Sequence, residues 1–339
     1  MNHQKYMEFA VALAAKGKFT AKPNPVVGCV IVNNNEIVGQ GYHQNYGGNH
    51  AEINAINSVY KKYKKAKDIL KESTLFCTLE PCNHDGKTPP CTNAIIQSGI
   101  KNIIIGAIDP NPKVSGTGIN KLIQHGLQVQ SGVCESLVED QNKFFFFRHR
   151  KKRPFITLKI AASKDGKAFL QNSDERTIIT SPEARANVQL IRAEYDSILT
   201  GGNTLRKDNP KMNARVEFNV NQPQKILLST EIHSKKYEFF KNNDVLIFND
   251  KNVSINSIIK KLSASEINSI LVEAGPKLVN AFLKTSLVDQ VIYFEAPHNL
   301  GSHGMPWFDT DNYLELNGFQ RSSSSRIGPD KKIIFSKND

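Results

Sequence analysis

His50-Ala51-Glu52, then Pro81-Cys82, then Cys91 after eight further residues, place metal-binding side chains in an order that suits hydrolysis. One histidine and two cysteines are ligands that suit Zn²⁺, and three protein ligands leave the fourth tetrahedral position to water, as in a catalytic rather than a structural zinc. Both cysteines would ligate as thiolates, cancelling the metal's formal charge, and helix starts near Cys82 and Cys91 would favour the anions. Glu52 lies two residues past His50, too near for a comfortable second ligand on one helix face. It is placed to shuttle protons, taking one as water attacks an amidine-like carbon and delivering one to departing ammonia. The bland alternative is a core histidine with two ordinary cysteines, but the HAE triplet, the Pro-Cys step and the later cysteine occur together in the required order.

H-x-E followed by P-C…C resembles the signature of zinc nucleobase deaminases. One departure is informative: the residues NHDGKTPP enlarge the spacing between the cysteines. That loop carries His84 and Lys87, which could grip an anionic substrate. PNPVVGCV at 23–30 holds Asn24 rigidly between two prolines ahead of a buried strand. GYHQNYGGNHAE puts His43 in the segment leading to the metal helix, and DPNP at 109–112 presents Asp109 and Asn111.

These residues need a layered scaffold. Met7, Ala10, Val11 and Ala14 recur at helical spacing, and strands at 26–32 and 37–42 flank an Asn-rich turn, a hairpin. A helix follows from His50, continuing into Lys61–Lys71, then a strand at 75–79, a helix from Cys91, and strands at 102–107 and 127–132 that alternate with helices at 116–125 and from Cys134. Hairpin plus β-α repeats predicts an α/β layered domain. Phe144–Phe147 and RHRKKRP read as core packing and a charged connector. From Pro154 a second alternation begins, with strands at 154–161, 196–201, 225–229, 244–248, 269–275, 289–296 and 331–335, and helices at 181–193, near 255–262 and up to Ser286. This predicts a second α/β domain. No G-x-G-x-x-G follows a strand, so the usual Rossmann site is not supported. Gly275-Pro276 after the strand SILVEAG and Gly201-Gly202 after DSILTG are the two places where free backbone N–H groups could meet a pyrophosphate.

The chain has 339 residues, enough for two domains with real cores. Lys and Arg exceed Asp and Glu by 44 to 32, a net charge of +12, which invites a nucleic-acid reading. The charge is not in one half. Lysines 61–71 and the cluster Arg148–Arg153 dominate it, and a lysine-rich helix face is usually solvated. No apolar run approaches the length needed to cross a bilayer and the start lacks a signal-peptide core, so the expectation is a soluble cytoplasmic protein. Five cysteines confined to the first 134 residues make no disulfide framework. Cys29 and Cys134 are expected as buried thiols.

PNPVVGCV, GYHQNYGGNHAE, TLEPCNHDGKTPPC and DPNP together resemble the deaminase domain of the bifunctional riboflavin-biosynthesis deaminase/reductase family, over residues 1–145. RPFITLKIAASKDGK, TSPEAR, ILTGGNTLRKDNPKMNAR and LVEAGPKL resemble its reductase domain, over about 153–300. The resemblance implies a cytidine-deaminase-like three-layer domain (1–147), a basic connector (148–153) and a dihydrofolate-reductase-like α/β domain (154–339). It implies zinc on His50, Cys82 and Cys91, Glu52 as shuttle, and deaminase substrate contacts from Asn24, His43, His84, Lys87, Asp109 and Asn111. In the second domain it implies NADPH near Ala162, Ile178, Thr204, Asp208, Ser229, Gly275, Pro276 and Lys277. The ribosyl phosphate would lie near Arg192, Met212, Arg215 and Glu273, with arginine forks on phosphate. The implied reactions are hydrolytic deamination of 2,5-diamino-6-ribosylamino-4(3H)-pyrimidinone 5′-phosphate and reduction of ribosyl to ribityl, in a homo-oligomer (dimer or tetramer) without nucleic-acid or membrane partners. Three departures stand out: Ile178 where the family has Trp, Asp208-Asn209-Pro210 for D-D-P, and a loose HNLGSHGMPW at 298–307. The rival readings are a tRNA base deaminase with an accessory domain, which predicts a basic stripe interleaved with aromatics, and a zinc-stabilised binding protein, which has no need of Glu52.

Overall fold

The computed structural model describes residues 2–84, 89–112, 114–171, 177–231, 236–241, 244–310 and 312–337. The chain divides into two compact units, Met1–Lys152 and Arg153–Asp339. No helix among the described residues is long and apolar enough to cross a membrane.

The first unit runs α1 (His3–Ala14), β1 (Gly28–Asn33), β2 (Glu36–Tyr42), α2 (Ala51–Lys62), α3 (Ala66–Lys71), β3 (Thr74–Leu79), α4 (Cys91–Ser98), β4 (Asn102–Ala107), α5 (Thr117–Gln124), β5 (Gln128–Gln130), α6 (Glu135–Gln141) and α7 (Lys143–Lys151). Its sheet has the order β2-β1-β3-β4-β5. β1 is antiparallel to both neighbours, while β3, β4 and β5 are parallel. Strand alternation builds three layers. Cys29, Ile31, Leu75, Cys77, Ile103 and Ile105 face α2–α5, and Val30, Val32, Phe76 and Ile104 face α1. Gly41 lets α2 lie directly on β2, since a Cβ there would come within 2.4 Å of Ala55 N and 2.5 Å of Ala51 O.

Two local expectations need correction. The lysine-rich helix does not continue from α2: Tyr63 is extended and turns its ring toward the core, after which Ala66 and Leu70 are buried one turn apart on α3. All six lysines from Lys61 to Lys71 remain exposed. The phenylalanine run and most of the basic cluster form α7. Phe146 packs on Leu79, Ala107 and Val138, and Arg150 pairs with Glu139.

The second unit runs β6 (Phe155–Ala162), β7 (Lys167–Leu170), α8 (Pro182–Glu194), β8 (Ser197–Gly201), α9 (Gly202–Asp208), β9 (Gln224–Leu228), β10 (Val245–Phe248), α10 (Ile255–Ser263), β11 (Ser269–Val272), α11 (Pro276–Leu283), β12 (Gln290–Glu295), β13 (Gly304–Pro306), α12 (Tyr313–Leu316), β14 (Phe319–Ile327) and β15 (Asp330–Lys337). The main sheet has the order β10-β9-β8-β11-β6-β12-β15-β14. It is parallel up to β12 and antiparallel at β15 and β14. Ile156, Leu158, Ile160, Ile226, Ile270 and Val272 pack on α10 and α11. The alternate residues Ile198, Leu227, Leu271 and Phe294 are buried too, as expected of parallel strands covered on both faces.

Candidate metal centre and reductase cavity

In the first unit the candidate residues gather at one end of the sheet, outside the carboxyl ends of the parallel strands β3 and β4, where open α/β sheets place ligands. His50 is the N-cap of α2 and Cys91 the first residue of α4, while Cys82 lies in the loop after β3. A helix start lies near Cys82, as expected: the first N–H of α4, that of Cys91, donates to its sulfur at 3.4 Å. Ligand atoms of His50, Cys82 and Cys91 lie within 4.8 Å of one another, with His50 Nδ1 3.2 Å from Cys91 Sγ and 3.5 Å from Cys82 Sγ. Zn–N near 2.0–2.1 Å and Zn–S near 2.3 Å at tetrahedral angles separate N and S by roughly 3.5 Å, so this donor set fits zinc without rearrangement. Without metal the Cys91 thiol, acting as donor, lowers Cys82, and the same interaction with burial raises Cys91, which keeps its proton. Metal binding displaces such a proton.

Glu52 is 3% exposed and lies beside the cluster without being one of its three ligands. Burial, then the Cys82 thiolate, push its carboxyl up to about 7. Asn24 and His43 are brought together beside His50. His43 Nδ1 lies 3.1 Å from the Asn49 carbonyl, which can only accept, so Nδ1 carries the proton and Nε2 accepts from Asn24 Nδ2 at 3.0 Å. The His43 ring stands edge-on to His50, 5.3 Å between centroids. Asp109 is buried, its carboxyl pushed up to about 7, chiefly by burial, and its Oδ1 accepts from Asn111 N at 2.8 Å. His84 is exposed. Lys87 lies outside the described residues. Cys29 is buried as expected, but Cys134 is partly exposed, and Cys77 is a buried thiol outside the candidate ligand set, opposite Cys29 in the β1–β3 register.

The second unit holds an open cavity of about 1640 Å³. Ile178, Thr204, Asp208, Ser229, Gly275, Pro276 and Lys277, expected near the cofactor, all line it, as do Arg192, Met212, Arg215 and Glu273. Ala162 does not: strand alternation puts it in the core and Ala161 at the cavity wall. Gly201-Gly202 and Gly275 open α9 and α11 onto the cavity, and at Gly275 a Cβ would meet nothing within 4 Å, leaving its backbone accessible. Two helix starts facing a large cleft suit a pyrophosphate. Asn209 caps α9 in the left-handed conformation, φ 40°, which asparagine tolerates well, and its Oδ1 accepts from Glu238 N at 2.8 Å. Ile178 is 63% exposed, an aliphatic side chain at the wall of the cavity.

Arg192 departs from its expected role. Its Nε and Nη2 donate to Glu273 at 2.6 and 2.9 Å, and Nη1 donates to Asn213 O at 3.2 Å. The fork expected to hold phosphate is thus engaged by a carboxylate. Burial alone would raise Glu273, but attraction to Arg192 outweighs it and the carboxyl is lowered. Lys159 and Arg185 also line the cavity and were not singled out from the sequence. Lys159 lies inside an apolar strand, TLKIA, as a polar interruption that could have drawn notice.

A family model described as the cytidine and deoxycytidylate deaminase zinc-binding region matches residues 1–107, and one described as the RibD C-terminal domain matches residues 154–333. The riboflavin biosynthesis protein RibD of Buchnera aphidicola subsp. Baizongia pistaciae is 37% identical, with 98% of each chain covered. Among solved structures, Acinetobacter baumannii RibD has a TM-score of 0.90 at 29% identity over 99% of both chains. A diaminohydroxyphosphoribosylaminopyrimidine deaminase/5-amino-6-(5-phosphoribosylamino)uracil reductase from Thermotoga maritima has a TM-score of 0.84 at 32% identity, again over 99% of both.

Proposed function

The chain belongs to the RibD family of riboflavin-biosynthesis proteins, and from that premise we propose how its two units divide the work. It is a bifunctional enzyme of riboflavin biosynthesis with deaminase and reductase activities. The reading assigns deamination of 2,5-diamino-6-ribosylamino-4(3H)-pyrimidinone 5′-phosphate to the first unit. Convergence of His50, Cys82 and Cys91 with a buried Glu52 beside them carries it. Zinc, when bound by those three, would supply the Lewis acidity that makes water a nucleophile at neutral pH. Glu52 would hold and return the proton. Asn24, ordered by His43, would present an amide to the pyrimidine ring, and Asp109 and Asn111 would bind its polar edge. His84 and Lys87 would meet the phosphate.

The second unit would reduce the ribosyl group to ribityl, giving 5-amino-6-ribitylamino-uracil 5′-phosphate. NADPH, when bound, would supply the hydride that no side chain can. The helix starts at Gly202 and Pro276 would hold its pyrophosphate, with Thr204, Asp208 and Ser229 lining the same cleft. Glu273, fixed by Arg192, would face the ribosyl chain, and the phosphate would fall to Arg215. The reading further takes the enzyme as a cytoplasmic homo-oligomer, dimer or tetramer, without nucleic-acid or membrane partners; the scattered, solvated lysines support the absence of a nucleic-acid groove.

Metal analysis and calorimetric titration of purified protein test this directly. The expected result is one zinc and one NADPH per chain, with NADH bound more weakly. Protein that binds neither nucleotide would sink the cofactor reading, and substitution of Ile178 by Trp would then be the first repair to try.

A further inference from the structure

Glu80 precedes the Pro81-Cys82 step and is 4% exposed. Its carboxylate accepts four backbone hydrogen bonds, all from one stretch of chain. Oε2 takes Asp109 N at 3.3 Å and Gly116 N at 3.0 Å, and Oε1 takes Gly118 N at 3.0 Å and Ile119 N at 3.2 Å. The last two are first-turn donors of α5, whose own N-cap, Gly116, has no side chain to satisfy them. A carboxylate is the charge such a helix end favours. The same two segments touch again on either side. Gly118 passes so near the Pro81 carbonyl that a Cβ would lie 2.0 Å from its oxygen, and Asn83 Nδ2 donates to Thr117 O at 3.4 Å. Glu80 N itself donates to Ala107 O at 3.0 Å, at the end of β4.

We propose that Glu80 is a positioning residue for deamination: it fixes the loop bearing Asp109 and Asn111 against the segment bearing Cys82, so that substrate contacts and metal keep one geometry. The inference rests on the reading of Asp109 and Asn111 as substrate contacts. Glutamine has nearly the same shape but offers one acceptor oxygen and an NH₂, so two of the four N–H groups would face a donor.

In the zinc-loaded full-length enzyme, Glu80→Gln should raise KM of deamination by about tenfold or more while kcat changes by less than about threefold. Zinc content and the kinetics of reduction should match the parent. Asp109→Asn alone should raise KM as well, and the double variant should show no more than the larger single effect, because both act through one contact. An unchanged KM in Glu80→Gln, a fall in kcat at constant KM as partial unfolding would give, or multiplying effects in the double variant overturns the proposal. If Asp109→Asn leaves KM unchanged, the contact assignment itself has failed and the proposal falls with it. A raised KM in Asp109→Asn beside an unchanged Glu80→Gln rejects the anchor alone. Should Glu80→Gln not fold, Gly118→Ala displaces the same loop from the Pro81 side, and the same KM and kcat criteria decide.

Discussion

Deamination by the Glu52→Gln enzyme is expected to fall by about 10²–10⁴-fold, with zinc unchanged and reduction of the deaminated intermediate running at the parent rate. Glutamine keeps the size of the side chain and its place in the buried pocket, but it cannot accept a proton and pass it on. The side chains that converge as the candidate metal site are His50, Cys82 and Cys91, so on the proposed reading Glu52 can be changed without removing a donor. Reduction is assigned to residues 154–339 and needs nothing from Glu52. Ammonia release, metal analysis and NADPH oxidation on one preparation therefore give three separable readouts. Normal ammonia release would refute the shuttle, and loss of zinc would mean that Glu52 serves the metal instead.

Arg192→Met should have the largest effect on stability. Arg192 and Glu273 are both buried, and the guanidinium gives two of its donors to the carboxylate. Removing one partner leaves an uncompensated charge in the interior, at a cost of about 3–5 kcal/mol. For a unit of this size that corresponds to a melting temperature lower by on the order of 10 °C. The pH dependence should change sign. In the parent, Arg192 holds the Glu273 carboxyl below its ordinary range, so the stability it contributes is present above that range and lost as pH falls through the depressed value. In Arg192→Met burial, the largest influence on the carboxyl, is opposed only by the weaker attraction of Lys159 and Arg215, so the carboxyl should rise and the variant should be more stable at pH 5 than at pH 8. Thermal melts across that interval decide the matter. A flat or unchanged profile would show that the pair is not coupled as described. Changing both residues to apolar ones should restore much of the loss.

The metal centre was legible in the sequence because ligand chemistry is a property of residue type and the three ligands come in short, recognisable contexts. The three layers were legible because the strand residues alternate: Val30 and Val32 face one side, Cys29 and Ile31 the other. What escaped was set by tertiary partners. Nothing in FQRSSSSRI announces a strand; β14 is almost wholly exposed and exists through its pairing with β15. The helix break at Tyr63 follows from a core that pulls Ala66 and Leu70 inward. By residue type and family resemblance Arg192 reads as a phosphate fork, and only the fold shows that Glu273 has already taken it. Glu80 stood in the quoted TLEPC, yet its four donors lie some 29 to 39 positions away, beyond any local spacing rule.

The distribution of thiols gives the enzyme a built-in gauge of its metal. Cys29 and Cys77 are wholly buried and raised by burial, which keeps them unreactive, and Cys82 and Cys91 would be engaged by zinc. A maleimide or disulfide reagent added to intact holoenzyme should therefore label one cysteine quickly, Cys134. A second and third equivalent appearing after chelation, before the chain unfolds, would count the released ligands, and full labelling of all five would mark global unfolding. More than one rapid equivalent in native, zinc-replete protein would contradict that arrangement.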